Sequence, residues 1–91
     1  MKFFYTYVLL SKKDKNFYTG WTVDLRQRFT EHQSGDVYST KNRLPVELIY
    51  YEACKNKDDA RAREKFFKSG MGRRFLRNRM KKFLSRKPLT G

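Results

Sequence analysis

Four kinds of polar side chain fall where hydrophobic periodicity calls for apolar ones. Leu25, Arg28, Phe29 and His32 stand at i, i+3, i+4 and i+7, one continuous helical stripe that carries an arginine and an imidazole toward the core. Ala60, Glu64 and Phe67 repeat the pattern, so Glu64 is directed the same way. Tyr7 alternates with Phe3 and Tyr5 on one strand face. A guanidinium, an imidazole, a carboxylate and phenols turned toward one layer are not buried cheaply without partners. Two outcomes fit: a structural network in which Glu64 pairs with Arg28 and the tyrosines are core residues with wet hydroxyls, or a reactive site. Periodicity leaves both open.

A second signal is the distribution of charge. The 91-residue chain has a formal net charge of +13. Residues 1–60 hold ten Lys/Arg against eight Asp/Glu, a net of +2, whereas residues 61–91 hold twelve against Glu64 alone, a net of +11. Such a concentration suits a polyanion, nucleic acid before an anionic membrane surface. Eight Phe, six Tyr and one Trp supply a core, so the basic balance does not mean disorder. No apolar run approaches the ~20 residues of a membrane span. The single cysteine, Cys54, excludes an internal disulfide framework and a Cys-rich zinc site. A reduced, cytoplasmic monomer is expected.

The elements that must position these residues can be read along the chain. Phe3–Leu10 is apolar on both faces and predicts a central strand covered on both sides. Lys12–Asn16 is a polar turn, and Phe17–Thr19 is the second arm of a hairpin that ends at Gly20. Thr22 is the expected N-cap of a first helix, with Asp24 in its first turn and Ser34-Gly35-Asp36 at its close. Val46–Tyr51 is a third strand. Asn56, with Asp58 and Asp59, caps a second helix that runs to Ser69-Gly70; Gly72 then separates a third, with Leu76, Met80 and Phe83 on its apolar stripe. The order β-β-α-β-α-α implies an α+β fold, a three-stranded antiparallel sheet flanked by helices. It occupies residues 1–84 as one domain, followed by a basic tail, 85–91.

Tyr5-Thr6-Tyr7, then Tyr18-Thr19-Gly20, Arg28, His32 and Glu64 resemble the signature of the GIY-YIG nuclease superfamily. The separations agree: eleven residues from Tyr7 to Tyr18, ten to Arg28, four to His32, with the glutamate on a later helix. The resemblance is closest to small standalone bacterial members and extends through His32-Gln33-Ser34-Gly35, Arg43-Leu44-Pro45, Glu52 and Ala60–Lys65. The first motif has Tyr5 and Thr6 where the family's name has Gly and Ile, and Thr19 replaces Ile in the second. Trp21 stands where some members carry a lysine.

The resemblance implies phosphodiester hydrolysis with one divalent metal, Mg²⁺ or Mn²⁺, held weakly without substrate. It makes Glu64 the metal ligand, Arg28 a contact to the scissile phosphate, and Tyr7 the general base, with His32 as its hydrogen-bond acceptor. Tyr18 would order water or phosphate; spacing alone does not choose between the two tyrosines. Asn78 corresponds to a polar position near the family's active site. For grip, Arg73, Arg77 and Lys81 follow i, i+4 spacing with Arg74 beside them, one side of a helix that can track a phosphate backbone. Lys41 and Arg43 are expected to flank the cleft. The resulting expectation is an endonuclease acting on nucleic acid, DNA rather than RNA, selective for structure rather than sequence. Its alternative is a binding module of the same fold without cleavage. Membrane association has no lipidation signal or third-helix Trp to support it.

Overall fold

The computed structural model describes residues 2–86. Its elements are β1 (Phe4–Ser11), β2 (Phe17–Thr22), α1 (Leu25–Gln33), β3 (Val46–Cys54), α2 (Lys57–Lys68), α3 (Gly70–Arg79) and α4 (Lys81–Leu84). The fold is α+β, with an antiparallel sheet in the order β2-β1-β3. The doubly apolar β1 is therefore the central strand. Its alternation feeds two cores. Val8 joins Phe17, Phe67, Leu76 and Met80 under α2 and α3. Tyr7 and Leu9 join Val46, with Leu25 and Phe29 of α1 packed against them. Val8, Leu9, Phe67 and Leu76 are almost fully buried, each contributing about 1.5–3 kcal/mol relative to exposure.

Several boundaries differ from the sequence expectation. The strand β2 does not end at Gly20 but continues to Thr22, because Gly20 pairs in register with Tyr7. The N-cap of α1 is Asp24, whose Oδ1 accepts from Gln27 N at 3.0 Å. Thr22 is spent one step earlier, its hydroxyl accepting from Asp24 N at 3.1 Å. Asn56 caps α2 as expected, accepting from Asp58 N and Asp59 N. Ser69, rather than Gly72, separates α2 from α3: it closes the one and its hydroxyl caps the other. Gly72 lies inside α3, where an added Cβ would overlap the Phe66 carbonyl, so its missing side chain lets α3 lie directly on the end of α2.

The expected third helix is two helices. It stops at Met80, which is buried beside Leu76 with φ −110° and ψ 23°, and α4 starts anew. Of the expected tail, Ser85 closes α4, and Arg86 lies over the Phe83 ring and pairs with Glu47 at 3.6 Å. Residues 87–91 lie outside the described residues. Among the described residues no helix is long and apolar enough to cross a membrane.

Candidate active site

Tyr7, Tyr18, Arg28, His32 and Glu64 line one cleft of about 520 Å³ beside the β2 edge. Four elements, β1, β2, α1 and α2, bring these five together. Tyr7 comes from β1 and lies across Gly20 of β2, where an added Cβ would overlap the Tyr7 hydroxyl. Glycine at that position lets the phenol reach the cleft. Arg28 and His32 come from successive turns of α1, and Glu64 from α2 on the other side of the sheet. Trp21, Ser39, Lys68 and Arg73 also line it.

The Tyr7 hydroxyl is the centre of a hydrogen-bonded chain. Arg28 Nε donates to it at 3.3 Å, and His32 Nε2 lies 2.9 Å away. Arginine has only donors, so the phenol accepts from Arg28, while the direction of the Tyr7–His32 bond follows the imidazole tautomer. On its other side His32 Nδ1 lies 2.7 Å from the Thr40 hydroxyl, and with the imidazole proton on Nδ1 the ring accepts from Tyr7 at Nε2. Arg28 is braced by Glu31 at 3.1 Å. The Arg28–Glu64 pair of the structural-network alternative is not formed. Glu64 instead meets Lys68 at 3.4 Å, one helical turn on, because α2 and α1 lie on opposite faces of the sheet.

Burial sets the protonation states. It pushes the Tyr7 phenol above its ordinary range, against the opposing pull of Arg28, so Arg28 and His32 do not by themselves bring the phenol toward ionisation. His32 is drawn down from 6.5 to about 4, by burial first and the Arg28 charge second. The imidazole is therefore neutral at pH 7 and free to accept. An unfolded chain takes up this proton near pH 6.5, whereas the native chain does so only near 4. The unfolded state thus binds more protons between those values, and stability falls as pH drops through them, by up to about 3 kcal/mol. Thermal melts across this window should show that loss in the native protein, and His32→Gln should flatten it. Equal slopes for the two proteins would contradict the assignment.

Tyr18 has a different environment. Its hydroxyl donates to Asp14 at 2.6 Å, which raises its pKa and lowers that of Asp14. Arg43 pairs with Asp14 at 3.3 Å. Arg43 therefore supports Tyr18 from behind and is not among the cleft-lining residues. Lys41 is not among them either; its ammonium lies 4.9 Å from the centre of the Tyr38 ring. Arg73 does line the cleft, Arg74 is exposed beside it, and Arg77 lies over Phe17 at 5.1 Å, so Arg73 and Arg77 run along β2. Lys81 and Asn78 fall elsewhere. Both border a shallow depression with Arg79, Met80 and Phe83. The break at Met80 takes Lys81 off the Arg73 face, and Asn78, five residues past Arg73, is turned about 140° around α3.

Sequence reasoning missed Thr40, Asp14, Glu31 and Lys68. Lys68 had a signal, its i+4 spacing from Glu64. Thr40 and Asp14 sit in loops, where no periodicity marks them.

The donor set can be tested for a metal. Glu64 is the carboxylate lining the cleft, and among the described residues no group of three or more His, Cys, Asp or Glu could hold an ion. One hard oxygen ligand in an open polar cleft fits Mg²⁺, which keeps several waters and shares phosphate oxygens with its substrate. It does not fit a closed four-ligand zinc site.

An α+β sheet with two tyrosines, an arginine, a histidine and a glutamate around one edge defines a class, and comparison agrees. Residues 3–78 match the GIY-YIG catalytic domain model, and the chain belongs to that family. Membership implies nuclease activity in general, a nucleic-acid substrate and the family's use of divalent metal ions. Among relatives, the chain is 46% identical over 68 residues to the UPF0213 protein in the ldhD 5′ region of Pediococcus acidilactici, covering 71% of this chain and 68% of that one. It is 42% identical over 65 residues to a UPF0213 protein of Clostridium perfringens, covering 70% and 69%. The solution NMR structure of a UPF0213 protein from Bacillus halodurans superposes with a TM-score of 0.51 at 30% identity, covering 94% of this chain and 88% of that one.

Proposed function

We propose that this protein is a metal-dependent endonuclease that hydrolyses phosphodiester bonds in nucleic acid, DNA rather than RNA, selected by structure rather than base sequence. It acts as a monomer in the cytoplasm. The observation that carries the reading is the Arg28–Tyr7–His32–Thr40 chain opening into a cleft that also holds Glu64. A network serving only stability has no need to open onto solvent beside a carboxylate whose partner is a surface lysine.

Arg28, held through Nε and Nη1, meets a non-bridging phosphate oxygen with the rest of its guanidinium and stabilises the charge that grows there. Tyr7 takes a proton from the attacking water as its own passes to His32 Nε2. The water oxygen forms the new P–O bond while the bond to the leaving oxygen breaks, and solvent protonates that oxygen. Thr40 keeps the imidazole in the tautomer that accepts at Nε2. Glu64 would hold the divalent ion, which supplies charge stabilisation at the phosphate when bound. Tyr18, its proton committed to Asp14, offers its oxygen to a water.

A panel of labelled single-stranded, duplex, flap and branched substrates with Mg²⁺, Mn²⁺ or EDTA tests this reading. Cleavage of branched or flap substrates that EDTA abolishes is the expected result. Tight binding without cleavage across the panel would leave a binding module.

Binding should be dominated by backbone phosphates. The log–log salt slope on duplex DNA is about −0.9 per neutralised phosphate. Replacing Arg73, Arg74 and Arg77 with Ala should flatten it by about one unit for each phosphate no longer neutralised and weaken all sequences alike. Affinity insensitive to salt would contradict this.

A further inference from the structure

Tyr38 is 85% exposed, more than the other large hydrophobic side chains left in solvent. Lone exposed hydrophobics are ordinary, but this ring differs in its mount, its neighbour and its place.

The mount is the segment joining α1 to β3, tied at several points. Thr40 N and Lys41 N both bond to Val37 O, and Arg43 N bonds to Thr40 O. The Thr40 side chain is fully buried against His32. The buried Ser11 hydroxyl donates to Arg43 O at 2.7 Å, and Lys12 N donates to Pro45 O at 2.8 Å. A ring on so constrained a backbone is presented to solvent with little ordering left to lose on binding.

The neighbour is Lys41, whose ammonium lies 4.9 Å from the ring centre, a cation–π contact that leaves the opposite face of the phenol open. The place is one residue from the cleft along the chain: Tyr38 and Lys41 are not in its lining, but Ser39 is, with Lys68 and Arg73. An aromatic face, a cation and, one residue along the chain, the cleft proposed to take phosphate are the parts of a site for a nucleotide whose base is exposed. In duplex, base faces are covered by their neighbours. An exposed ring can stack only on a base that is unpaired and unstacked.

We infer that Tyr38 is a stacking platform for an unpaired nucleotide adjoining the cleaved phosphate, with Lys41 meeting the backbone beside it. This rests on the nuclease reading above and gives its substrate class: single-stranded or splayed nucleic acid.

The test uses the intact chain carrying Glu64→Gln, so that substrate survives, and compares a single strand containing 2-aminopurine with a blunt duplex of the same sequence. Adding Tyr38→Ala should weaken single-strand binding about tenfold and duplex binding by less than about twofold. It should also relieve quenching of the 2-aminopurine, and Tyr38→Trp should retain both affinity and quenching. Loss of equal size on both nucleic acids, or on neither, would overturn the inference. If the native chain cleaves a flap substrate while Tyr38→Ala is indifferent to strandedness, the platform alone is wrong. If the native chain neither binds nor cleaves, the nuclease reading falls with it.

Discussion

Glu64→Gln should lower metal-dependent cleavage by about 10³-fold or more while leaving the fold and the grip intact. The substitution keeps the shape and removes the charge that a hard divalent ion requires. Metal stabilisation of phosphate charge is worth several kcal/mol, and each ~1.4 kcal/mol is a factor of ten in rate. Had Glu64 been paired in the interior with Arg28, losing its charge would have cost about 3–5 kcal/mol of stability. Its partner is instead Lys68 on the helix surface, at 3.4 Å, and pairs of that kind contribute about 0.3–0.5 kcal/mol. Melting temperature should therefore barely move. Nucleic-acid affinity should stay level or rise, since one repulsive carboxylate has left the cleft. A folded Glu64→Gln protein that still cleaves at the native rate with Mg²⁺ would remove Glu64 from the metal site.

The two tyrosines should separate sharply. Tyr7→Phe removes the hydroxyl that accepts from Arg28 and lies 2.9 Å from His32 Nε2. Losing a positioned proton-transfer group costs about 10²–10⁴-fold in rate. It also leaves the buried His32 Nε2 without a partner, at about 1–3 kcal/mol of stability. Tyr18→Phe removes a hydroxyl whose proton belongs to Asp14, and the expected loss in rate is about tenfold or less, the share of one ordered water. On the proposed relay through Tyr7 and His32, Tyr7→Phe and His32→Gln together should cost little more than either alone. Cleavage rates of the singles and the double, with melting temperature on each, check this. Tyr18→Phe as damaging as Tyr7→Phe, or fully additive losses, would contradict the relay.

What the amino-acid order determined by itself is what backbone periodicity and close neighbours can encode. The doubly apolar run of β1 demanded cover on both faces and became the central strand. Asn56 before two aspartates set the start of α2. The stripe carrying Arg28 and His32 turned both toward the Tyr7 face of the sheet, and motif spacing delivered five residues to one cleft. Tertiary structure decided the partners. Tyr7 meets His32 across 25 residues of chain, and Ser11 meets the Arg43 carbonyl across 32. No local pattern specifies such pairings, because they depend on how α1 and the following loop pack onto the sheet. The β1–β2 hairpin gave the Tyr18 proton to Asp14, four residues back, and so set apart two tyrosines that spacing left equivalent. The break at the buried Met80 took Lys81 off the Arg73 face, and the turn of α3 itself put Asn78 away from the cleft. Helix periodicity assumes a helix that continues, whereas burial of a side chain decides where one ends.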